Sequence, residues 1–420
     1  MSGYQPYPEY KDSGVEWFGE VPAHWKIVPL YGITSSNPDT LPDSIKNSDG
    51  FFEYIDISAV DHVSGISDGE KVAFSNAPSR ARRLAKAGNV VVSTVRTYLK
   101  AVAEVLPEKS GCVFSTGFAV LRPSDKLSPG ALKWLMLNDL FIQSIEAHSE
   151  GLSYPAINTS SLLRLPVALP TQGEQKQIAT FLDRETNRID KLIEKKQRFV
   201  ELLQEKRQAV ITQAVTKGLD PNLPMKDSGV EWIGEVPAHW LNVRLMKVFN
   251  EKPKDLSSQH PPGAISFGEV VKKEMRNEET LASYQALEHG EFIVNPLNLN
   301  YDLKSLRVAL ANQDVRVSSG YIVLRLNAGY QDRFIRWLMY LFDVRYMKTL
   351  GGGIRQTITF KDIAKCQVAM PGFVEQTEIA TFLDRETTRI DMLITKTRES
   401  LDLLKERRSA LITAAVTGKI

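Results

Sequence analysis

The sequence predicts a mixed α/β (α+β) protein built from two similar globular blocks, each followed by one long helix. Three observations carry that expectation: a tandem internal repeat, two proline-free helical stretches of equal length, and two blocks in which short strand-like runs precede an amphipathic helix. The chain has 420 residues, more than one ordinary domain, and two to four domains are expected at roughly 100–200 residues each.

The repeat is direct. DSGVEWFGEVPAHW at 12–25 returns as DSGVEWIGEVPAHW at 227–240, an offset of 215. IATFLDRETNRID at 178–190 returns as IATFLDRETTRID at 379–391, and RQAVITQAVT at 207–216 as RSALITAAVT at 408–417, both offset by 201. Between these fixed segments the halves drift apart. Each half therefore has an opening segment, a variable block and a fixed closing segment, the architecture of an internal duplication.

The closing segments read as rods. The stretch 172–216 contains no proline, and its apolar residues Ile178, Leu182, Ile189, Ile193, Val200, Leu203, Val210 and Ala214 follow the spacing of a packed helical seam. The second copy places Ile379, Leu383, Ile390, Ile394, Leu401, Leu404, Leu411 and Ala415 on the same spacing. Two near-identical rods of equal length most simply pair with each other.

The variable blocks read as strands followed by a helix. FFEYIDISAV at 51–60, NVVVSTV at 89–95 and VFSTGFAVLR at 113–122, the last with a turn glycine, are rich in β-branched and aromatic residues, and the span 131–147 is an amphipathic helix. AISFGEVV, EFIVNPL, VRVSSGYIVLRL and RFIRWLMYLFDVRYMKTL repeat that order in the second block. The expected division is 1–170 for the N-terminal segment and first block and 171–217 for the first rod. The linker with the repeated opening segment follows at 218–240, the second block at 241–371, and the second rod at 372–420.

Composition excludes several classes. A chain that is 43% hydrophobic and 24% charged is neither disordered nor collagen-like. No run of about 18 apolar residues is present to span a membrane, and the polar N-terminus carries no secretory signal. Cys112 and Cys366 are isolated, which fits a reducing, cytoplasmic setting rather than a disulfide framework or zinc knuckle.

The search for chemistry yields little. There is no phosphate-cradling G-x-x-x-x-G-K-[ST] loop, no G-x-G-x-x-G after a strand, and no G-x-S-x-G. Asn295-Pro296 is followed by Leu297, which breaks the pattern of an amino-methyltransferase. No histidine lies four residues from another, so no helical metal pair exists. His24 and His239 sit in the repeated PAHW, as turn residues beside a buried tryptophan or, as the alternative, as ligands. Asp183 and Glu185, repeated as Asp384 and Glu386, read as helix-face ion pairs or subunit contacts. No catalytic or metal-binding residue is assigned.

Basic, loop-like stretches remain. Arg80, Arg82, Arg83 and Lys86 cluster at 79–86, and Arg96, Tyr98 and Lys100 follow a strand end. The second block offers Lys272, Lys273 and Arg276, then Asn298, Asn300, Lys304 and Arg307, then Arg355 and Gln356 beside a glycine triplet. Arginine, asparagine and glutamine pair with guanine and adenine edges, while lysine holds phosphates. For any single residue a solvated surface is the plain alternative. As a set, in divergent blocks of a duplicated chain, they are the candidate DNA-binding residues.

Taken together, the paired GEVPAHW segments, PTQGEQKQIATFLDRET and PGFVEQTEIATFLDRET, and the helix endings RQAVITQAVTKG and RSALITAAVTGK resemble the specificity subunit of type I restriction-modification enzymes. The resemblance covers residues 12–420. It implies that each variable block is a target recognition domain reading one half of a split DNA sequence. It further implies that the rods form an antiparallel coiled coil between the two domains, about a pseudo-twofold axis. The repeated segments would dock two modification (methyltransferase) subunits, with restriction (translocase-nuclease) subunits completing the assembly. The subunit itself would be non-catalytic, with S-adenosylmethionine, ATP and magnesium belonging to its partners. A tandem scaffold that binds proteins or ligands without DNA, and a self-acting nuclease, are the alternatives from other classes.

Overall fold

A computed structural model describes residues 6–42, 44, 49–274, 278–297, 306–350 and 357–420. They divide into two compact units: Met1–Gln197 with Glu399–Ile420, and Arg198–Arg398. Each unit thus combines one variable block with parts of both rods. The architecture is mixed α/β, as the residue pattern predicts.

In the first unit the central element is an antiparallel four-stranded sheet, ordered Val102–Glu104, Val90–Ser93, Phe118–Pro123 and Thr34–Ser36. Val91 pairs with Ala103 on one side and Val120 on the other. Successive strand side chains point to opposite faces. Val90, Val92, Ala119 and Leu121 pack among the helices, while Val91, Ala103 and Val120 join Ile55 and Phe114 in a second core. Both faces are covered, which is why NVVVS shows no polar alternation. The second core belongs to a five-stranded mixed sheet in which Val113–Ser115 runs parallel to Phe51–Ile55. Lys26–Pro29 pairs with Pro166–Leu169, so the block's beginning is laced to its end.

The second unit keeps the four-stranded sheet, ordered Phe249–Glu251, Ile322–Leu326, Phe292–Val294 and Val308–Leu310. The same two-sided burial holds: Phe292 and Leu324 face the helices, Ile293 and Val323 the other side. In place of the five-stranded sheet stand two separate ladders, Gly263–Ser266 with Glu269–Lys272 and Tyr284–Leu287 with Val315–Ser318. Leu241–Arg244 pairs with Gln367–Met370 as its counterpart does in the first unit.

Two local expectations are corrected. The span 113–122 is not one strand but two, broken at Thr116 and Gly117. A Cβ on Gly117 would lie 2.9 Å from Ile57 Cδ1 and 3.1 Å from Val95 Cγ2, so the chain turns where only glycine fits. The span 131–147 is two helices, Pro129–Met136 and Asp139–Ala147. Asn138 interrupts them because its Oδ1 caps the second, accepting from Leu140 N at 3.2 Å. The second unit has no such cap, and Asp332–Arg345 is continuous.

The rods span Gln172–Lys217 and Phe373–Val416. Within each unit their segments run antiparallel. In the first, Ile178 and Leu182 share a core with Ile412, Ala415 and Val416, and Asp190 meets Arg408. In the second, Ile211 and Val215 share a core with Ile379 and Leu383, and Arg207 meets Asp391. Each rod is followed by a glycine at φ +71, Gly218 and Gly418, the left-handed residue that commonly ends a helix. Gly218 lies against Trp240, and Gly418 against Trp25.

Candidate nucleic-acid interface

The repeated motifs are largely accounted for by folding. Trp25 is fully buried, and its indole N–H donates to Glu174 Oε1 at 3.1 Å, beside His24 Nε2 at 2.8 Å from the same oxygen. In the second copy Trp240 donates to Glu375 Oε1 at 3.0 Å, and His239 Nε2 lies 2.9 Å from the other oxygen, Oε2. Burial opposes the charge on Glu174, yet hydrogen bonds from Thr171, Trp25 and His24 hold its carboxyl at about 2. Burial and the neighbouring Glu174 push the Tyr7 hydroxyl up to about 12. The histidines are therefore hydrogen-bonded turn residues beside a buried tryptophan.

The carboxylates of the FLDRET repeat divide in the same way. Asp183 accepts from the Trp134 indole at 3.2 Å and from Lys133 at 2.9 Å. Asp384 accepts from Trp337 at 2.8 Å and also pairs with Arg333. Glu185 and Glu386 pair with Arg184 and Arg385 on their own helix. Buried Gln175 bridges Ser128 N to the Lys126 and Pro170 carbonyls, and Gln376 links Gln331 N to Pro371 O. These side chains fasten each block to the start of its own rod.

Among the described residues, no group of three or more His, Cys, Asp or Glu is arranged to hold a metal, and no helix is long and apolar enough to cross a membrane. Both cysteines are buried and free, and burial pushes each thiol up to about 11, away from the reactive thiolate.

The basic residues fall into distinct environments. Arg80 is exposed in the turn before Ala81–Leu84, and its carbonyl accepts from Thr116 N at 2.8 Å. Arg82 sits at a register shift in its strand, between Ala81 paired with Ser115 and Arg83 paired with Phe114. Arg82 is half-buried and donates to the Leu41 and Ser79 carbonyls at 3.4 Å. Burial lowers the Arg83 guanidinium from its usual range. Lys86 is exposed, 3.6 Å from Asp39. In the second unit Lys272 and Lys273 are exposed at the end of a hairpin. Arg276, Asn298, Asn300, Lys304, Arg355 and Gln356 lie outside the described residues.

Arg307 departs from a surface role. It is 6% exposed, its backbone N–H donates to Asp343, and its guanidinium donates to the Leu297 carbonyl. An arginine held this way supports the strand end from inside.

Arg96, Tyr98 and Lys100 are brought together. They sit in one tight turn around Thr97–Leu99, with Arg96 at φ 52 and Lys100 at φ 51. A left-handed conformation costs a non-glycine residue about 1 kcal/mol, and this turn holds two such residues. A chain of backbone bonds gathers neighbours at the same end: Thr116 N to Arg80 O, Thr94 N to Gly117 O, and Ile157 N to Thr94 O, each 2.8 Å. The second unit repeats the last as Ile358 N to Pro296 O, 3.2 Å. Sequence reasoning missed two residues here, Leu152 and Tyr154, both strongly exposed, with the Arg96 guanidinium 5.3 Å from the Tyr154 ring centre. Their signal was two large apolar side chains inside a Gly-Leu-Ser-Tyr-Pro loop.

Comparison with known proteins gives the chain's family and fold. The family model described as the type I restriction modification DNA specificity domain matches residues 22–202 and 277–402. The MjaX protein of Methanocaldococcus jannaschii, named as a type I restriction enzyme specificity subunit, is 26% identical over 321 residues, covering 72% of this chain and 70% of its own. A structure described for complex assembly and conformational transition of the type I R-M system shares the fold, with a TM-score of 0.73 at 24% identity, over 95% of this chain and 99% of that one. The crystal structure of the HsdS subunit from Thermoanaerobacter tengcongensis superposes with a TM-score of 0.56 at 22% identity, over 95% and 98%.

Proposed function

The chain belongs to the type I restriction-modification DNA specificity family, and on that premise we propose that each of its two units reads one half of a bipartite DNA target. One observation carries the reading. The two units keep the same four-stranded sheet and the same rod contacts, Asp190 with Arg408 and Arg207 with Asp391, while a five-stranded sheet in one is replaced by two separate ladders in the other. A constant frame bearing unlike loops is what two different half-sites require. The rods set the length of the unspecified spacer.

The repeated segments dock two methyltransferase subunits, and restriction subunits complete the assembly. Leu192 and Leu393 occupy equivalent rod positions and are both exposed, as are Leu202 and Leu403. Apolar side chains repeated on exposed helix faces suit two copies of one partner. The subunit works in the cytoplasm and performs no catalysis. S-adenosylmethionine, ATP and magnesium act in the partners. With a net charge of only +2, the isolated subunit binds DNA weakly, since phosphate contacts dominate affinity and the partners supply many of them.

The test is methylome sequencing of cells expressing the chain with its cognate modification subunit. A split motif with one modified adenine in each half is expected, and exchange of block 26–170 changes one half only. An assembled complex that leaves no motif overturns the reading.

A further inference from the structure

The turn at Arg96–Lys100 and the loop at 150–156 form a single tip. Val95 and Glu150 each bridge to Ala156. Thr97 N donates to Pro155 O at 3.4 Å, and the buried Thr97 hydroxyl donates to Ser149 Oγ at 2.9 Å. These bonds hold the two segments together and leave four large apolar side chains outward: Tyr98, Leu99, Leu152 and Tyr154. A single exposed leucine needs no explanation. Four such residues on two adjoining loops mark an interaction site.

The cations of the tip choose the partner. Arg96 lies over the Tyr154 ring and is itself exposed, Lys100 flanks the turn, and Arg80 stands at the same end of the unit. Glu150 is the one carboxylate in the segments 94–100 and 149–157. Apolar side chains ringed by cations fit a polyanion whose bases offer flat apolar faces.

From this geometry we infer that the tip enters a groove of the recognised duplex and presses Leu152 and Tyr154 against the bases, opening one base step, while Arg96 and Lys100 hold flanking phosphates. The inference rests on the DNA-reading role and adds a mode to it: this unit reads its half-site partly by apolar wedging, which senses how easily a step unstacks. It adds Leu152 and Tyr154 as specificity-determining residues.

The experiment uses the full complex with modification subunits. Leu152→Ser and Tyr154→Ala are expected to weaken cognate binding roughly tenfold, as loss of a base contact does, without changing the salt dependence. Arg96→Ala should lower the slope of log affinity against log salt by about one. 2-Aminopurine walked through the first half-site should brighten at one step with the unaltered complex and stay dark with Leu152→Ser. Unchanged melting curves keep folding out of the result, because both side chains are exposed. Cognate binding by both variants within twofold of the unaltered complex, or no bright position, overturns the tip. If block exchange leaves the methylation motif unchanged, the DNA-reading role itself fails. If the motif follows the block while the tip variants bind normally, only the tip proposal fails.

Discussion

The Arg408 guanidinium grips the Asp190 carboxylate with two nitrogens, Nε at 2.8 Å and Nη2 at 3.3 Å. Both residues belong to the repeat, and their counterparts meet in the other unit as Arg207 and Asp391 at 2.9 Å. The fork fixes register between helix segments that are remote in sequence.

That fork predicts a measurable coupling. Arg408 is mostly buried and Asp190 half-exposed, so the pair is worth about 0.5–1 kcal/mol. Arg408→Ala and Asp190→Ala should each cost about that much in denaturant midpoint stability, and the double variant little more than either alone. Additive losses would show that the two side chains act separately.

Trp25 and Trp240 should be the most sensitive positions of the opening segments. Trp25→Phe removes an indole donor from an ionised carboxylate and leaves a gap beside Gly418. The expected cost is about 2–4 kcal/mol, read by chemical denaturation. Trp240→Phe should cost as much. A loss below 1 kcal/mol in both would mean that the indole–glutamate bond contributes little to stability.

Glu174 makes stability depend on acid. Its folded carboxyl is held at about 2 against an ordinary 4.5, so folding favours the ionised form. The stabilisation is complete above the unfolded value and is lost as pH falls from 4.5 toward 2. Glu174→Gln keeps an acceptor for Trp25 but removes the charge. Its stability deficit should be full at pH 7 and narrow steadily below pH 5, as followed by urea unfolding. A deficit independent of pH would contradict the charge-based account.

The exposed leucines test the docking surface. Leu202→Glu and Leu403→Glu lie on equivalent helix faces and should leave melting within about 0.5 kcal/mol. Each should remove one of two modification subunits from the complex, read by native mass. Full two-subunit occupancy in the double variant would move the docking surface elsewhere.

Strands and rods were legible because hydrophobic period reports burial directly, on one stripe of a helix or both faces of a covered sheet. The halves were legible because the repeat is nearly verbatim. The turn glycine at Gly117 was legible, though not the close approach of Ile57 and Val95 that requires it; the break at Asn138 was not, since it depends on a side chain capping its own backbone. Nor could local pattern show that Asp190 and Arg408 share a unit. At the candidate site, Arg96, Tyr98 and Lys100 could be named from their place after a strand. Leu152 and Tyr154 carry no periodicity, and Arg307 looks like any surface arginine until Asp343 and Leu297 enclose it.

The two left-handed glycines bear on how the chain is strung. Gly218 leads through the covalent linker into the opening segment whose Trp240 it touches. Gly418 touches Trp25 in the same way, and the Tyr10 hydroxyl donates to its carbonyl at 3.0 Å, with no peptide bond joining them. Each unit therefore closes at an equivalent seam, an opening-segment tryptophan set against the glycine that ends a rod.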